Sequence, residues 1–169
     1  MIRAFQPGPR PSASLRMSSD LVIRPIAPSD LAGWRPLWDG YNAFYGRLGE
    51  TALPEAVTAT LWSRFFDEHE PVHAFVAVLD GRLVGLTHYL FHRSTSRIED
   101  TCYLQDLFTA EAVRGRGVGR ALIAAVTAAV QAHGGHRLYW QTHTTNAAGR
   151  ALYDRVAEHK GFIVYGQDF

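Results

Sequence analysis

One stretch in the second half of the chain, YLQDLFTAEAVRGRGVGR, constrains the fold more than any other. It runs from Tyr103 to Arg120 and joins an apolar, strand-like run to a glycine-rich loop that opens into a long amphipathic segment. Glycine lets the backbone adopt positive φ and come close to a ligand. The first amides of a helix have no partner inside the helix and lie at the positive end of its dipole. The stretch therefore predicts a strand, a loop and a helix start that binds phosphate.

The spacing of the glycines narrows the kind of phosphate site. A P-loop needs Gly-Lys-Ser/Thr, which is missing, and the dinucleotide fingerprint G-x-G-x-x-G fails because its last position is Arg120. The pattern that fits is Arg/Gln-x-x-Gly-x-Gly/Ala, with Arg114, Gly117 and Gly119. This loop resembles the acetyl-CoA pyrophosphate loop of the GCN5-related N-acetyltransferases (the GNAT family), although an ordinary glycine-rich turn has the same composition.

Two further stretches strengthen the resemblance. LQDLFT, from Leu104 to Thr109, is similar to the family's central strand, and YWQTHTTNAAGRALY, from Tyr139 to Tyr153, is similar to the second half of its cofactor site. The resemblance covers Leu21 to Tyr165 in the family's order, and its nearest variety is the small-amine and polyamine-type branch. It implies an α/β (α+β) fold: a mixed, mostly antiparallel sheet of six to seven strands with about four helices, splayed at the central strand.

Hydrophobic periodicity and turn signals give the expected elements. Residues 1–19 are rich in proline and serine and predict a disordered leader, with Met17 as an alternative start, so residues 20–169 form a single domain. Strands are expected at 21–26, 72–79, 82–91, 103–108, 137–142 and 162–165, and helices at about 30–45, 54–68, 118–133 and 146–159. An Asp80-Gly81 turn between two strand-like runs predicts a β-hairpin.

Composition excludes several classes of function. A formal net charge of +1 gives no basic field for nucleic acid, and no apolar run is long enough to span a membrane. The single cysteine, Cys102, excludes a disulfide framework, and the spacing of the eight histidines gives no reason to expect a metal site. The leader lacks the apolar core of a secretory signal, so we expect a cytoplasmic protein. The resemblance implies a homodimer that pairs through its C-terminal strands, which agrees with the apolar run Phe162–Tyr165.

The resemblance also implies which residues hold acetyl-CoA, the co-substrate. Backbone groups of the central strand would pair with pantetheine, and the Phe108 amide would bind the thioester oxygen. The loop amides would hold the pyrophosphate, with Arg120 adding charge, and Asn146 would be a helix cap, a cofactor contact or both. The full set is Leu107, Phe108, Thr109, Arg114, Gly115, Arg116, Gly117, Val118, Gly119, Arg120 and Asn146.

Tyr153 is the candidate general acid. It lies seven residues after Asn146 and would protonate the departing thiolate, although an amphipathic helix can also carry a core tyrosine at this position. The base stays open. Gln105 cannot accept a proton, so the candidate on the central strand is Asp106, which can equally be a carboxylate satisfied by backbone amides. Ordered water is another option, and His143 is a weaker one.

The acceptor side is expected at the first two helices and their junction. The resemblance makes Trp38, Tyr41, Tyr45 and Gln105 candidate contacts, with Asp39 and Glu50 as further acids, although each aromatic also fits a core position. The predicted function is direct transfer of an acetyl group from acetyl-CoA to a primary amine of a small molecule. The alternatives are a protein lysine or N-terminal acetyltransferase and a non-catalytic acyl-CoA-binding sensor.

Overall fold

The protein folds around one five-stranded sheet. The structure is a computed structural model and describes residues 21–169; the leader expected at 1–19 lies outside them. The strands are β1 (Leu21–Pro25), β2 (Val72–Leu79), β3 (Arg82–His92), β4 (Thr101–Thr109) and β5 (Leu138–Tyr139), in that spatial order. Neighbours from β1 to β4 are antiparallel, and β5 is parallel to β4. The helices are α1 (Leu31–Phe44), α2 (Glu55–Arg64), α3 (Val118–Ala132) and α4 (Ala147–Tyr153).

The β2–β3 hairpin forms as its turn residues predict. Asp80 and Gly81 have φ values of 50° and 75°, and Leu79 pairs with Arg82 across the turn. Positive φ at both central residues matches the twist of the flanking strands. The turn sets only the first pairs, because the register shifts at a bulge between Val78–Leu83 and Ala77–Gly85.

The two faces of the sheet carry different cores. Trp34 and Trp38 of α1 pack with Leu86 on one face, while Ile123 of α3 packs with Tyr89 on the other. Side chains alternate along a strand, so residues 86 and 89 of β3 face opposite sides. None of the helices within residues 21–169 is long and apolar enough to span a bilayer.

The prediction was wrong in three places near the C-terminus. The expected strand at 162–165 is missing: Phe162–Tyr165 form no regular element, and their side chains are 68–88% exposed. A strand needs a partner edge for its backbone groups, and none of the described strands lies beside this segment. The expected strand at 137–142 shrinks to the two residues of β5, and the last helix ends at Tyr153 rather than 159. The sheet therefore has five strands instead of six or seven, within the expected fold class.

Candidate active site

A β-bulge in the central strand positions the site. His88 of β3 pairs with Asp106, but the next residue of β3, Tyr89, pairs with Leu104, so Gln105 is the extra residue. Without it, Leu104 and Asp106 would share one face. Because of it, Leu104 packs in the core beside α3, while Asp106 reaches its partner on the α1 side. Gln105 itself is exposed.

The sheet opens beside the second half of β4. β5 pairs with β4 only at Cys102 and Tyr103, and within residues 21–169 no strand pairs with this edge from Leu104 to Thr109. This is the splay that the fold class implies. It leaves backbone amides of β4 without a partner in the sheet. Because backbone amides normally form hydrogen bonds, these amides are open to a ligand.

The direction of the amides decides which of them face this gap. Successive residues of a strand direct their amides to opposite edges. The Ala110 amide donates to the Val84 carbonyl at 2.8 Å, so the Phe108 amide, two residues earlier, also points toward β3. The amides of Leu107 and Thr109 therefore point into the gap. The expectation that the Phe108 amide binds the thioester oxygen is wrong for this geometry, because the β3–β4 ladder occupies that amide.

The ring of Phe108 has a separate structural role. A Cβ atom added at Gly40 of α1 would lie 2.8 Å from the ring, closer than van der Waals contact permits. Gly40 thus lets α1 approach β4 closely enough for Phe108 to pack in the core beside Leu86. The contact holds the C-terminal half of α1 against the opened part of β4.

The glycine-rich loop ends in an exposed helix start. Gly117 precedes α3 with a φ of 86°, a left-handed conformation that glycine adopts without strain, and a Cβ there would meet open space. No side chain of the described residues caps the first turn of α3, whose amides belong to Val118, Gly119 and Arg120. Three arginines at positions 114, 116 and 120 are exposed around this turn. Backbone amides at a helix start, with positive charge nearby, are the features that bind anions.

Gly119 differs from the loop glycines. A Cβ atom at this position would lie 3.1 Å from Leu152 and about 4 Å from Leu107 and Thr109. Gly119 is therefore the place where α3, β4 and α4 meet. A larger residue here would displace α4, which carries Tyr153, in addition to any effect on the loop.

Asn146 begins α4 as a cap. Its Oδ1 accepts a hydrogen bond from the Gly149 amide at 3.0 Å, and its Nδ2 donates to Thr142 Oγ1 at 3.0 Å. A Cβ atom at position 149 would lie 2.5 Å from Nδ2, so the glycine is needed for this close cap. Both polar groups of Asn146 are used within the chain.

Tyr153 ends α4 and is half-buried. Its ring packs edge-to-face on Trp140, just after β5, with centroids 5.5 Å apart. Burial, followed by the nearby Tyr45 hydroxyl, raises the pKa of Tyr153 to about 12. The phenol is therefore protonated at neutral pH, which is the state that a proton donor needs.

Asp106 is buried and held by a histidine that the sequence did not single out. His88 Nδ1 lies 2.9 Å from Asp106 Oδ2, and Trp34 Nε1 donates to His88 Nε2 at 3.0 Å. Indole nitrogen can only donate, so His88 must accept at Nε2 and donate from Nδ1 to the carboxylate. All three residues are at most 5% exposed. The backbone amides expected to satisfy Asp106 are replaced by this side-chain network.

The end of α1 brings the acceptor-side tyrosines next to Asp106. Tyr41 and Tyr45 lie with ring centroids 5.0 Å apart, and Tyr45 lies 6.1 Å from the His143 ring. Burial, and then the charge of Asp106, raise the pKa of Tyr41 well above its usual range. Tyr45 also raises the pKa of Tyr153, so these two hydroxyl groups lie near each other.

The other candidate contacts are engaged within the protein or lie exposed at its surface. Trp38 is buried and donates through Nε1 to Thr58 Oγ1 at 3.2 Å, which is a core interaction. Asp39 is exposed and forms an ion pair with Arg35. Glu50 is exposed in the turn between α1 and α2.

Comparisons with known proteins agree with this geometry. The sequence pattern of the Acetyltransferase (GNAT) family matches residues 34–157. The chain is 31% identical over 147 residues to the D-amino-acid N-acetyltransferase HPA3 of Saccharomyces cerevisiae, covering 86% of this chain and 89% of that protein. This chain belongs to the GNAT family.

Further relatives agree with the acetyltransferase assignment. The uncharacterized N-acetyltransferase YhfO of Bacillus subtilis is 30% identical over 145 residues, which cover 85% of this acetyltransferase and 94% of YhfO. The structure of the aminoglycoside N-acetyltransferase AAC(6')-Iy in complex with CoA shares the fold, with a TM-score of 0.73 and 19% identity over 92% of this chain and 99% of that one. The protein is an acetyl-CoA-dependent N-acetyltransferase, as its sequence predicts.

A cavity of about 720 Å³ lies away from this site in the acetyltransferase. It opens beside His73, Phe91 and His133, between the first residues of β2 and the end of α3, and it contains none of the predicted site residues. Within residues 21–169 no group of three or more His, Cys, Asp or Glu side chains is placed to hold a metal ion. The opened edge of β4, the start of α3 and the His88–Asp106 contact lie elsewhere in the fold.

Proposed function

We propose that this acetyltransferase transfers an acetyl group directly from acetyl-CoA to a primary amine of a small molecule, with both substrates bound together. The main support is that Tyr153 ends the helix that meets β4 and the start of α3 at Gly119, beside the opened strand edge. Tyr153 also lies near enough to Tyr45 for that hydroxyl to raise its pKa. The thioester would lie at the gap, between the cofactor and acceptor sides.

The cofactor side follows the gap. Pantetheine would pair with the amides of Leu107 and Thr109, one of which would stabilise the thioester oxygen as charge develops on it. The pyrophosphate would lie on the first turn of α3, where Gly115 and Gly117 add no side chain of their own and the arginines at 114, 116 and 120 supply positive charge. Acetyl-CoA, when bound, supplies the activated acetyl group.

Direct transfer is supported by the state of the single cysteine. Cys102 is fully buried in the core beside α3, and burial raises its pKa to about 12. A buried thiol with a raised pKa is a poor nucleophile, so an acetyl-cysteine intermediate is disfavoured. The amine would then attack the thioester carbon, the C–S bond would break, and Tyr153 would protonate the departing sulfur.

Three routes are open for removing the proton from the amine. Asp106 is 5% exposed and is engaged by His88, so it would act on the amine through Tyr41 or an ordered water rather than by direct contact. His143 is exposed beside Tyr45 and is the alternative within reach of the same tyrosines. A neutral fraction of the amine is always present, and water alone can therefore complete this step.

A thiol-release assay tests the proposal. Free CoA is measured while the protein is supplied with acetyl-CoA and a panel of small amines, amino acids and lysine peptides. We expect turnover with small primary amines and intersecting initial-velocity lines, as a ternary complex requires. Turnover with peptides alone would identify a protein acetyltransferase, and binding of acetyl-CoA without any turnover would identify a sensor.

We further propose that the protein forms a homodimer through its C-terminal segment. Phe162, Ile163, Val164 and Tyr165 are consecutive apolar residues that a second copy would cover. Sedimentation velocity at micromolar concentration is expected to show a dimer, and replacing Ile163 with aspartate should produce the monomer. A wild-type monomer under these conditions would contradict this proposal.

A further inference from the structure

One exposed cation, Arg47, lies beside the acceptor-side tyrosines. Arg47 follows the end of α1, and no carboxylate of residues 21–169 forms an ion pair with it. The charge of Arg47 lowers the pKa of the Tyr41 hydroxyl, while burial raises that pKa by a larger amount. Arg47 is exposed, so an anionic ligand can reach it.

The chain holds this guanidinium in place. Arg47 NH1 donates to Asn42 Oδ1 at 3.0 Å, and the backbone amide of Arg47 donates to the Asn42 carbonyl at 2.9 Å. Asn42 is itself buried and donates to the Trp38 carbonyl at 2.9 Å. The guanidinium also lies over the Tyr45 ring, with its central carbon 5.8 Å from the centroid. One N–H group and one face of the Arg47 guanidinium are therefore held in place. The other N–H groups of this planar group can bind a ligand.

The acids near Tyr41 and Tyr45 do not favour a polycationic acceptor. Asp39 and Glu55 are both bound by Arg35, and Asp106 is buried on His88. Of the acids named for this side, Glu50 alone has no ion pair within residues 21–169, so a polyamine would place its second cation near Arg47 with one exposed carboxylate to offset the repulsion. A carboxylate-bearing amine would instead pair with Arg47, because guanidinium and carboxylate match as a two-bond fork.

We infer that Arg47 binds the carboxylate of the acceptor, and that the acceptors are α-amino acids rather than polyamines. The inference rests on the proposed function, since it names the acceptor class of the same site. It assigns the tyrosines to the amine end of the acceptor and Arg47 to the carboxylate end.

The test compares matched acceptors and matched variants. Free α-amino acids in both enantiomers are assayed beside their α-amides and the corresponding decarboxylated amines, with wild type, Arg47→Met, Arg47→Lys and a distant exposed control, Arg97→Met. We expect Arg47→Met to raise KM for the amino acids by about 10–100-fold, the effect of losing a charge-assisted pair, with kcat changing little. Arg47→Lys should recover part of the loss, and Arg97→Met should behave as wild type.

The amides and decarboxylated amines are the internal control. Their KM should hardly change in Arg47→Met, and KM for acetyl-CoA should stay constant. Equal losses for amino acids and amides would overturn the inference, as would a raised KM for acetyl-CoA, which would place Arg47 on a cofactor phosphate. Urea unfolding of each variant separates loss of the Asn42 contact from loss of binding.

Equilibrium binding separates this inference from the proposed function. Calorimetry with CoA present measures the affinity for phenylalanine and for phenylalaninamide without requiring turnover. Wild type that prefers the carboxylate, with the preference lost in Arg47→Met, supports the assignment even if no amine is acetylated. Equal affinity for both ligands in wild type would overturn it.

Discussion

The two sides of the proposed reaction centre are built from different parts of the polypeptide. On the cofactor side, the groups that would bind are mostly backbone amides, and they all lie within residues 107–120. On the acceptor side, the groups are side chains from α1 and β4, and they are held by contacts such as Trp34–His88, which joins residues 54 positions apart. A site made of local backbone depends on chain conformation, whereas a site made of distant side chains depends on packing. Mutations should therefore affect the two sides in different ways.

Tyr153 lies where the two sides meet, and its removal should have the largest effect. Tyr153→Phe keeps the ring and removes the proton, so kcat should fall by roughly 10²–10⁴, the contribution of a positioned acid, while acetyl-CoA affinity stays nearly constant. The matched control is Tyr89→Phe. Burial raises the pKa of Tyr89 to about 12 as well, but Tyr89 lies in the core beside α3. Undiminished kcat in Tyr153→Phe would remove this residue from the mechanism.

The pH profile gives a second check on Tyr153. An acid with a pKa of about 12 loses its proton only as the pH rises through that value, so its deprotonation should not reduce the wild-type rate below about pH 11. The rate should instead rise with pH as more of the amine becomes neutral. A wild-type decline between pH 8 and 10 that disappears in Tyr153→Phe would show that its pKa is lower in the complex.

The cofactor side should respond to charge at one end of α3 only. Gly117→Asp places a carboxylate at the proposed pyrophosphate site, and like charges in contact cost several kcal/mol, so acetyl-CoA affinity should fall by roughly 10²–10³-fold. Gly134→Asp is the matched control. Gly134 has a φ of 80° and open space around it, like Gly117, but it follows the other end of the same helix. Calorimetry giving equal affinities for the two variants would contradict the placement of the loop.

The acceptor side should instead lose stability. His88→Phe leaves the Trp34 N–H and the Asp106 carboxylate buried without their partner, which should lower the free energy of unfolding by about 2–4 kcal/mol. His73→Phe is the control on the neighbouring strand, because His73 is half-buried against aromatic rings and no hydrogen bond of its side chain is seen among the described residues. Urea unfolding that shows equal losses for both variants would contradict the role of the network.

This difference also explains what the sequence could predict. The loop, the start of α3, the β2–β3 hairpin and the order of the elements follow from glycine positions and periodicity within short windows. The His88–Asp106 contact depends on the bulge at Gln105, because a regular strand would put Leu104 on the same face as Asp106. A local pattern does not contain that register. Arg47 was missed for a similar reason, since only the turn after α1 brings it back beside Tyr45.

The errors at the C-terminus have the same physical origin. Phe162–Tyr165 has the composition of a strand, but composition gives only the tendency of a segment to be extended. A strand also needs an adjacent edge, and β5 is only two residues long. The Phe108 amide was misassigned because the direction of an amide depends on pairing with β3, which the residue type does not reveal.

Asn146 gives the smallest expected effect and tests whether the cofactor side extends to α4. Because its Oδ1 accepts from the Gly149 amide and its Nδ2 donates to Thr142, we expect Asn146→Ala to lower the free energy of unfolding by about 1 kcal/mol, the cost of a lost cap. Acetyl-CoA affinity should be nearly unchanged. Asn146→Ser retains a capping oxygen and should recover most of the stability. The contrary result is that Asn146→Ser recovers stability while both variants still bind acetyl-CoA weakly. That result would show that the Asn146 side chain contacts the cofactor as well as capping the helix. The cofactor side would then include this side chain in addition to backbone amides.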